Sequence, residues 1–254
     1  MAVTLSSMVN IAALTQSANV AIAKHGGDIT SDPFGAANLR VEQAISSTDV
    51  KLSSYSQIKS GFADIQTTSR DLSDPKKTGA SADIVKAAQS FASAYNTTAN
   101  AASSAINGDS KTVGALSGDA RANLANNDLK SILTSGSNTA DLKKIGINLK
   151  SDGTLSVDTA ALQSAIQSDP NAVKDTLSTV GKLADQVSTK ELATTGYVGG
   201  SVNTLSNFSK SLETQLAEQK RLAAASQDAV QATLANFSST AASGIESYMK
   251  IFSL

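Results

Sequence analysis

No cysteine and no tryptophan occur among the 254 residues. Without cysteine there is no disulfide, no thiolate metal ligand and no thiol nucleophile. The compartment stays open, because a large helical assembly can be secreted without disulfides. Aromatic residues make up only 4% of the chain, which speaks against a thick aromatic core. Alanine, serine, threonine and asparagine fill the small and polar positions instead. Such side chains bury little apolar area each, so long, thin helices are favoured over a thick globule. The formal net charge is −1; with no basic face implied, nucleic acid is not an expected partner. No run of about 18 apolar residues occurs, so no transmembrane span is expected. Residues Met1 to Lys24 carry scattered apolar positions without a basic stretch ahead of an apolar block, and no cleaved signal peptide is expected.

Histidine occurs once, as His25, inside the breaker run His25-Gly26-Gly27-Asp28. A Ser-His-Asp triad needs an imidazole held by packing and oriented by a carboxylate, and this one has neither. With one histidine and no cysteine, a transition-metal site would be almost wholly carboxylate, which the spacing does not support. The stretch Asn148 to Thr159 fails as a calcium loop, with Lys150 at its third position and Thr159 at its twelfth. Gly181-Lys182 fails as a phosphate loop: Thr176 replaces the upstream glycine and Leu183 the hydroxyl residue. No acid, base or nucleophile constellation remains, so neither an enzyme nor a cofactor is expected.

What is present is two long apolar stripes. Ser31-Asp32-Pro33 is a helix start signal, with a side-chain cap ahead of proline. From Pro33 to Leu72 no further proline occurs, and Gly61 is the only glycine past Gly35. Val41, Ile45, Leu52, Tyr55, Ile58, Phe62, Ile65 and Leu72 follow mostly in steps of three, four or seven, close to a heptad seam. Thr194 to Gly200 is a glycine-rich break. Beyond it the chain runs from Ser201 to Ile251 without proline and with one glycine, Gly244. Leu205, Phe208, Leu212, Leu216, Ala223, Val230, Leu234, Phe237, Ala241, Tyr248 and Phe252 form the second stripe.

Between the stripes the signals are shorter. Ser81 is expected to cap a helix from Ala82 to Ile106, ended by Asn107-Gly108-Asp109. Ser117-Gly118-Asp119 starts another, to Leu133, stopped at Ser135-Gly136-Ser137. Leu142, Ile145, Ile147 and Leu149 then shift towards alternation. With Ser151-Asp152-Gly153 and Thr154-Leu155-Ser156-Val157 they predict a β-hairpin within 142–157. Asp158 caps a helix carrying Leu162 and Ile166; Asp169-Pro170 caps the next, carrying Val173, Leu177, Val180 and Leu183.

The expected fold class is mainly α: long N- and C-terminal helices pairing as a coiled-coil leg, with a small α/β middle containing one hairpin. The expected division is a flexible arm at 1–31, a leg helix at 32–72, a small helical domain at 82–195 and a second leg helix at 201–254. Roughly 40 residues at about 1.5 Å each give a rod of about 60 Å. Folding both helices back onto the middle as an ordinary bundle is the alternative, since heptad spacing does not choose a partner.

The segment LKKIGINLKSDGTLSVDTAALQSAIQSDPNAVKDTL, Leu142 to Leu177, resembles the C-terminal region of the flagellar filament cap family, hook-associated protein 2. Ile145-Gly146-Ile147, Asp152-Gly153-Thr154-Leu155, Asp158, Leu162, Ala165 and Asp169-Pro170-Asn171-Ala172-Val173 fall in the family's order. Phe91 with Tyr95-Asn96, Leu116-Ser117-Gly118-Asp119, and Leu52-Ser53-Ser54-Tyr55 with Ile58-Lys59-Ser60 are similar to its other signatures. Two departures stand out. Residues 1–30 lack the family's usual glycine-rich opening, and only Ser73 to Ser81 stands where large β-rich head domains are usually inserted.

The resemblance implies a secreted, non-enzymatic assembly protein of the bacterial flagellum. It implies an extracellular place at the filament tip and a ring-like homo-oligomer that aids flagellin polymerisation. Flagellin, hook-filament junction proteins and an export chaperone would be its partners, with no role for membrane or nucleic acid. The alternatives are a flagellin-type filament or junction subunit and, more remotely, a secreted effector. The expected site is the leg seam, led by Ile45, Leu52, Tyr55, Phe62, Ile65, Leu212, Leu234 and Phe237.

Overall fold

A computed structural model describes residues 34–74, 78 and 80–252, except the side chains at 234, 241–242 and 244–252. The expected arm at 1–31, the start signal at Ser31-Asp32-Pro33 and His25 therefore lie outside the described residues. Seven helices and two strands follow in order among those described. They are α1 (Gly35–Ser73), α2 (Ser81–Asn107), α3 (Ala120–Thr134), α4 (Asn138–Lys144), β1 (Ile147–Leu149), β2 (Leu155–Val157), α5 (Thr159–Ser168), α6 (Pro170–Leu192) and α7 (Tyr197–Phe252). The chain is mainly α, with one two-stranded antiparallel sheet.

Local chemistry places most of the ends. Asp119 caps α3 by accepting from the backbone N–H groups of Arg121 and Ala122. Asp158 caps α5 through Ala161, and Asp169 caps α6 through Ala172 with Pro170 in the first turn, where its missing N–H is harmless. Gly108 ends α2 at φ 73°, a left-handed geometry open to glycine, and its N–H bonds to Ser104 O. Ser81 is not a cap: it is the first residue of α2, the cap position is Ala80, and no side chain serves it.

Two boundaries differ from expectation. Leu142 lies in the short helix α4, not in a strand, and the hairpin is confined to Ile147–Leu149 and Leu155–Val157. Nearby side chains favour that extra turn of helix: Asn138 Nδ2 donates to Ile132 O, and Lys144 pairs with Asp141. The last helix begins at Tyr197, inside the glycine-rich break, so Gly199 and Gly200 are helical. A Cβ on Gly199 would lie 2.2 Å from Ala193 O. The glycine lets α7 turn back tightly after α6 instead of breaking it.

The chain divides into two compact units, residues 49–207 and residues 1–48 with 208–254. In the first, the stripe Tyr55, Ile58, Phe62, Ile65 and Leu72 of α1 enters one hydrophobic core. Ile84, Ala88, Phe91 and Tyr95 of α2, Leu129, Ile132 and Leu133 of α3, and Leu177 and Val180 of α6 complete it. Backbones approach closely around α1. A Cβ on Gly61 would lie 2.4 Å from Thr98 Oγ1 of α2, and one on Gly181 of α6 would lie 2.7 Å from Ser69 O.

The hairpin pairs Ile147 with Val157 and Leu149 with Leu155. Its turn carries Gly153 at φ 84°, and Asp152 Oδ1 accepts from Thr154 N. The open side of β2 is met by a side chain. Asn96 of α2 donates Nδ2–H to Leu155 O at 2.9 Å and accepts from Leu155 N at 2.6 Å. It acts as a third strand one residue long. Asn96→Ala should strand both backbone groups and destabilise residues 49–207 by about 2 kcal/mol. Urea unfolding measures this; an unchanged midpoint would mean that water replaces the amide without loss.

Candidate assembly interface

The unit formed by residues 1–48 and 208–254 holds the second stripe from Phe208 on. From residue 208 on, α7 places Leu212, Leu216, Gln219, Ala223, Val230 and Phe237 three, four or seven apart, so they share one helix face. Leu212 and Ala223 are buried, as are Val41 and Thr48 of α1. Between the two helices lies a groove of about 310 Å³, lined by Asn38, Leu39 and Glu42 with Lys220, Ala223 and Gln227. Lys220 Nζ donates to Glu42 Oε1 at 2.9 Å across it. Both side chains keep much of their exposure, so the pair fixes register more than it adds stability. Asn38 Oδ1 in the groove and Gln219 Oε1 on α7 are buried without a hydrogen-bond partner among the described residues.

Further along α7 the same face is open to solvent. Val230 is 55% exposed and Phe237 73%. A phenylalanine this exposed, in line with positions that are buried earlier in the same helix, marks an apolar ridge left uncovered among the described residues. Earlier on α7, Arg221 reaches Glu218 with two guanidinium nitrogens, and these bonds hold the Glu218 carboxyl below its ordinary value.

The eight residues expected along the leg seam divide between the units. Ile45 is half-buried and Leu212 buried in the unit just described, which also holds the exposed Phe237. The Leu234 side chain lies outside the described residues. Leu52 is half-buried in residues 49–207, where Tyr55, Phe62 and Ile65 are core residues, each no more than 1% exposed. The Tyr55 hydroxyl donates to Asp119 Oδ1 at 2.9 Å, which binds α1 to the cap of α3. Burial is the main reason its ionisation is pushed up.

Two working residues escape a pattern reading. Asn96 belongs to the Tyr95-Asn96 signature, yet only the folded hairpin gives its amide a task. Glu191 is fully buried on α6. Its signal was present: Leu177, Val180, Ala184, Ser188 and Glu191 are spaced three or four apart, which puts a carboxyl on the buried face.

Among the described residues no group of histidine, cysteine, aspartate and glutamate is placed to hold a metal ion. Among them, too, no helix is long and apolar enough to cross a membrane. A family model described as flagellar hook-associated protein 2 C-terminus matches residues 79–251, from just before α2 to the end of α7. Comparison with curated proteins gives no match.

Proposed function

We propose, from the premise that this chain belongs to the flagellar hook-associated protein 2 family, that it is a structural subunit of the cap at the flagellar filament tip. It acts outside the cell, assembles as a ring-like homo-oligomer and helps incoming flagellin fold and insert. Its helical leg contacts flagellin or the hook-filament junction proteins. It reaches the tip through the flagellar export channel, with a chaperone holding it beforehand. The observation that carries this reading is the stripe on α7, covered at Leu212 and Ala223 and bare at Val230 and Phe237. A ridge of this kind is a liability in a lone chain and an asset in a subunit whose neighbour covers it.

The test is a charge at the bare end. Phe237→Asp should abolish higher-order assembly in sedimentation velocity, because a carboxylate would enter a desolvated contact. The thermal midpoint of the monomer should stay unchanged, because this side chain is exposed. Negative-stain imaging of the parent protein should show rings or short stacks. Long filaments would favour a flagellin-type subunit, and assembly unaffected by the aspartate would overturn the assignment of this face.

A further inference from the structure

Where α6 gives way to α7, two carboxyl groups meet inside residues 49–207. Glu191 is 0% exposed. Its Oε2 accepts from the backbone N–H of Val198, in the first turn of α7, at 3.2 Å. That N–H is one of the donors a helix start leaves without an internal partner, so Glu191 supplies from α6 the cap that α7 needs. Its other oxygen, Oε1, finds no donor among the described residues. Asp128 of α3 acts on the Glu191 carboxyl through a side-chain hydrogen bond and through its charge, and both push that carboxyl up. Asp128 is itself held by Lys190, whose Nζ lies 2.6 Å from Oδ2. The Lys190 ammonium also sits 5.2 Å from the centre of the Tyr197 ring. The groups acting on Glu191 are thus Asp128 from α3, Lys190 from its own helix and the Val198 N–H from α7, with Tyr197 beside the lysine.

A pair of adjacent carboxyls with one cation cannot both ionise without penalty. When Glu191 holds a proton, its O–H donates to Asp128 and no charge is buried unmatched. When it loses the proton, Oε1 becomes an anionic acceptor without a donor, beside a second carboxylate. We propose that the Glu191–Asp128 pair is a proton-operated latch: protonated, it fastens the first turn of α7 to α3 and α6; deprotonated, it lets that turn open. The device is independent of the cap reading.

The direction of the pH effect follows from burial first and Asp128 second, which together push the Glu191 carboxyl up from 4.5 to about 7. A carboxyl raised on folding stabilises fully below its unfolded value. That contribution declines as pH climbs, and is gone once pH passes the folded value. The latch is therefore closed in mild acid and loose in mild alkali.

Two measurements on the full chain test it. The Glu191 side-chain carbon, followed by NMR, should titrate near neutrality, and Asp128→Asn should lower that midpoint. The hydrogen-exchange protection factor of the Val198 amide, already corrected for intrinsic exchange, should fall about tenfold or more between about pH 5.5 and about pH 8.5. In Glu191→Gln, which keeps an acceptor and cannot ionise, protection should be flat across that range. A parent carboxyl titrating at the ordinary glutamate value would overturn the latch. So would a midpoint indifferent to Asp128→Asn, or equal pH dependence in Glu191→Gln. Should Glu191→Gln not fold, the parent titration and its response to Asp128→Asn decide alone.

Discussion

Phe62→Asp should unfold residues 49–207. Phe62 is 0% exposed and sits in the core with Tyr55, Ile58 and Ile65. Truncating a buried phenylalanine alone costs about 3–5 kcal/mol through lost transfer energy and the cavity left behind. A carboxylate there adds the penalty of a buried, unpaired charge. Domains of this size have only about 5–15 kcal/mol in hand, so circular dichroism should show the unit melted or nearly so at room temperature. The contrast with Phe237→Asp is informative. Both positions lie on apolar stripes with almost the same spacing, yet one substitution should destroy folding and the other assembly alone. A folded, soluble Phe62→Asp protein with weakened assembly would return Phe62 to the surface and contradict the core described above.

Gly61→Val should be the next most damaging change. In most helix interiors replacing glycine stabilises, by about 1 kcal/mol for alanine. Here the sign reverses. A Cβ at position 61 would lie 2.4 Å from Thr98 Oγ1 and 2.9 Å from both Thr98 Cβ and Cγ2. Neither helix can yield cheaply: Thr98 is 0% exposed, and its hydroxyl donates to Ala94 O within α2. Overpacking at such a crossing should cost about 3 kcal/mol. Adding Thr98→Ala should recover about 1 kcal/mol or more, a coupling that a double-mutant cycle in urea reads directly. If Gly61→Val matched the parent, or if the two changes simply added, the helices would not be crossing at this pair.

Membership of a flagellar family was legible before the fold, because the residues that carry it are local punctuation. Asp119, Asp158 and Asp169-Pro170 cap helices through bonds to backbone two or three residues away. Asp152-Gly153 turns a hairpin through its own neighbours. Such contacts need no distant partner, so a linear pattern contains them whole. The short helix α4 shows the limit of this. Leu142 and Ile145 look alternating, but Asn138 reaching back to Ile132 O makes a helical turn the better solution.

The apolar stripes themselves were also determined by the chain alone: α1 and α7 are long, and each must hide one face from water. Which surface hides it was decided only in three dimensions. Burial is non-directional, and a leucine or phenylalanine at heptad spacing serves a domain core as well as a subunit contact. Tyr55, Phe62 and Ile65 therefore close a core with α2, α3 and α6, while Val230 and Phe237, with the same spacing, stay in solvent. Asn96 and Glu191 make the same point for polar groups. Their residue types are plain in the sequence, but the backbone amides they serve, at Leu155 and Val198, reach them only when the chain has folded.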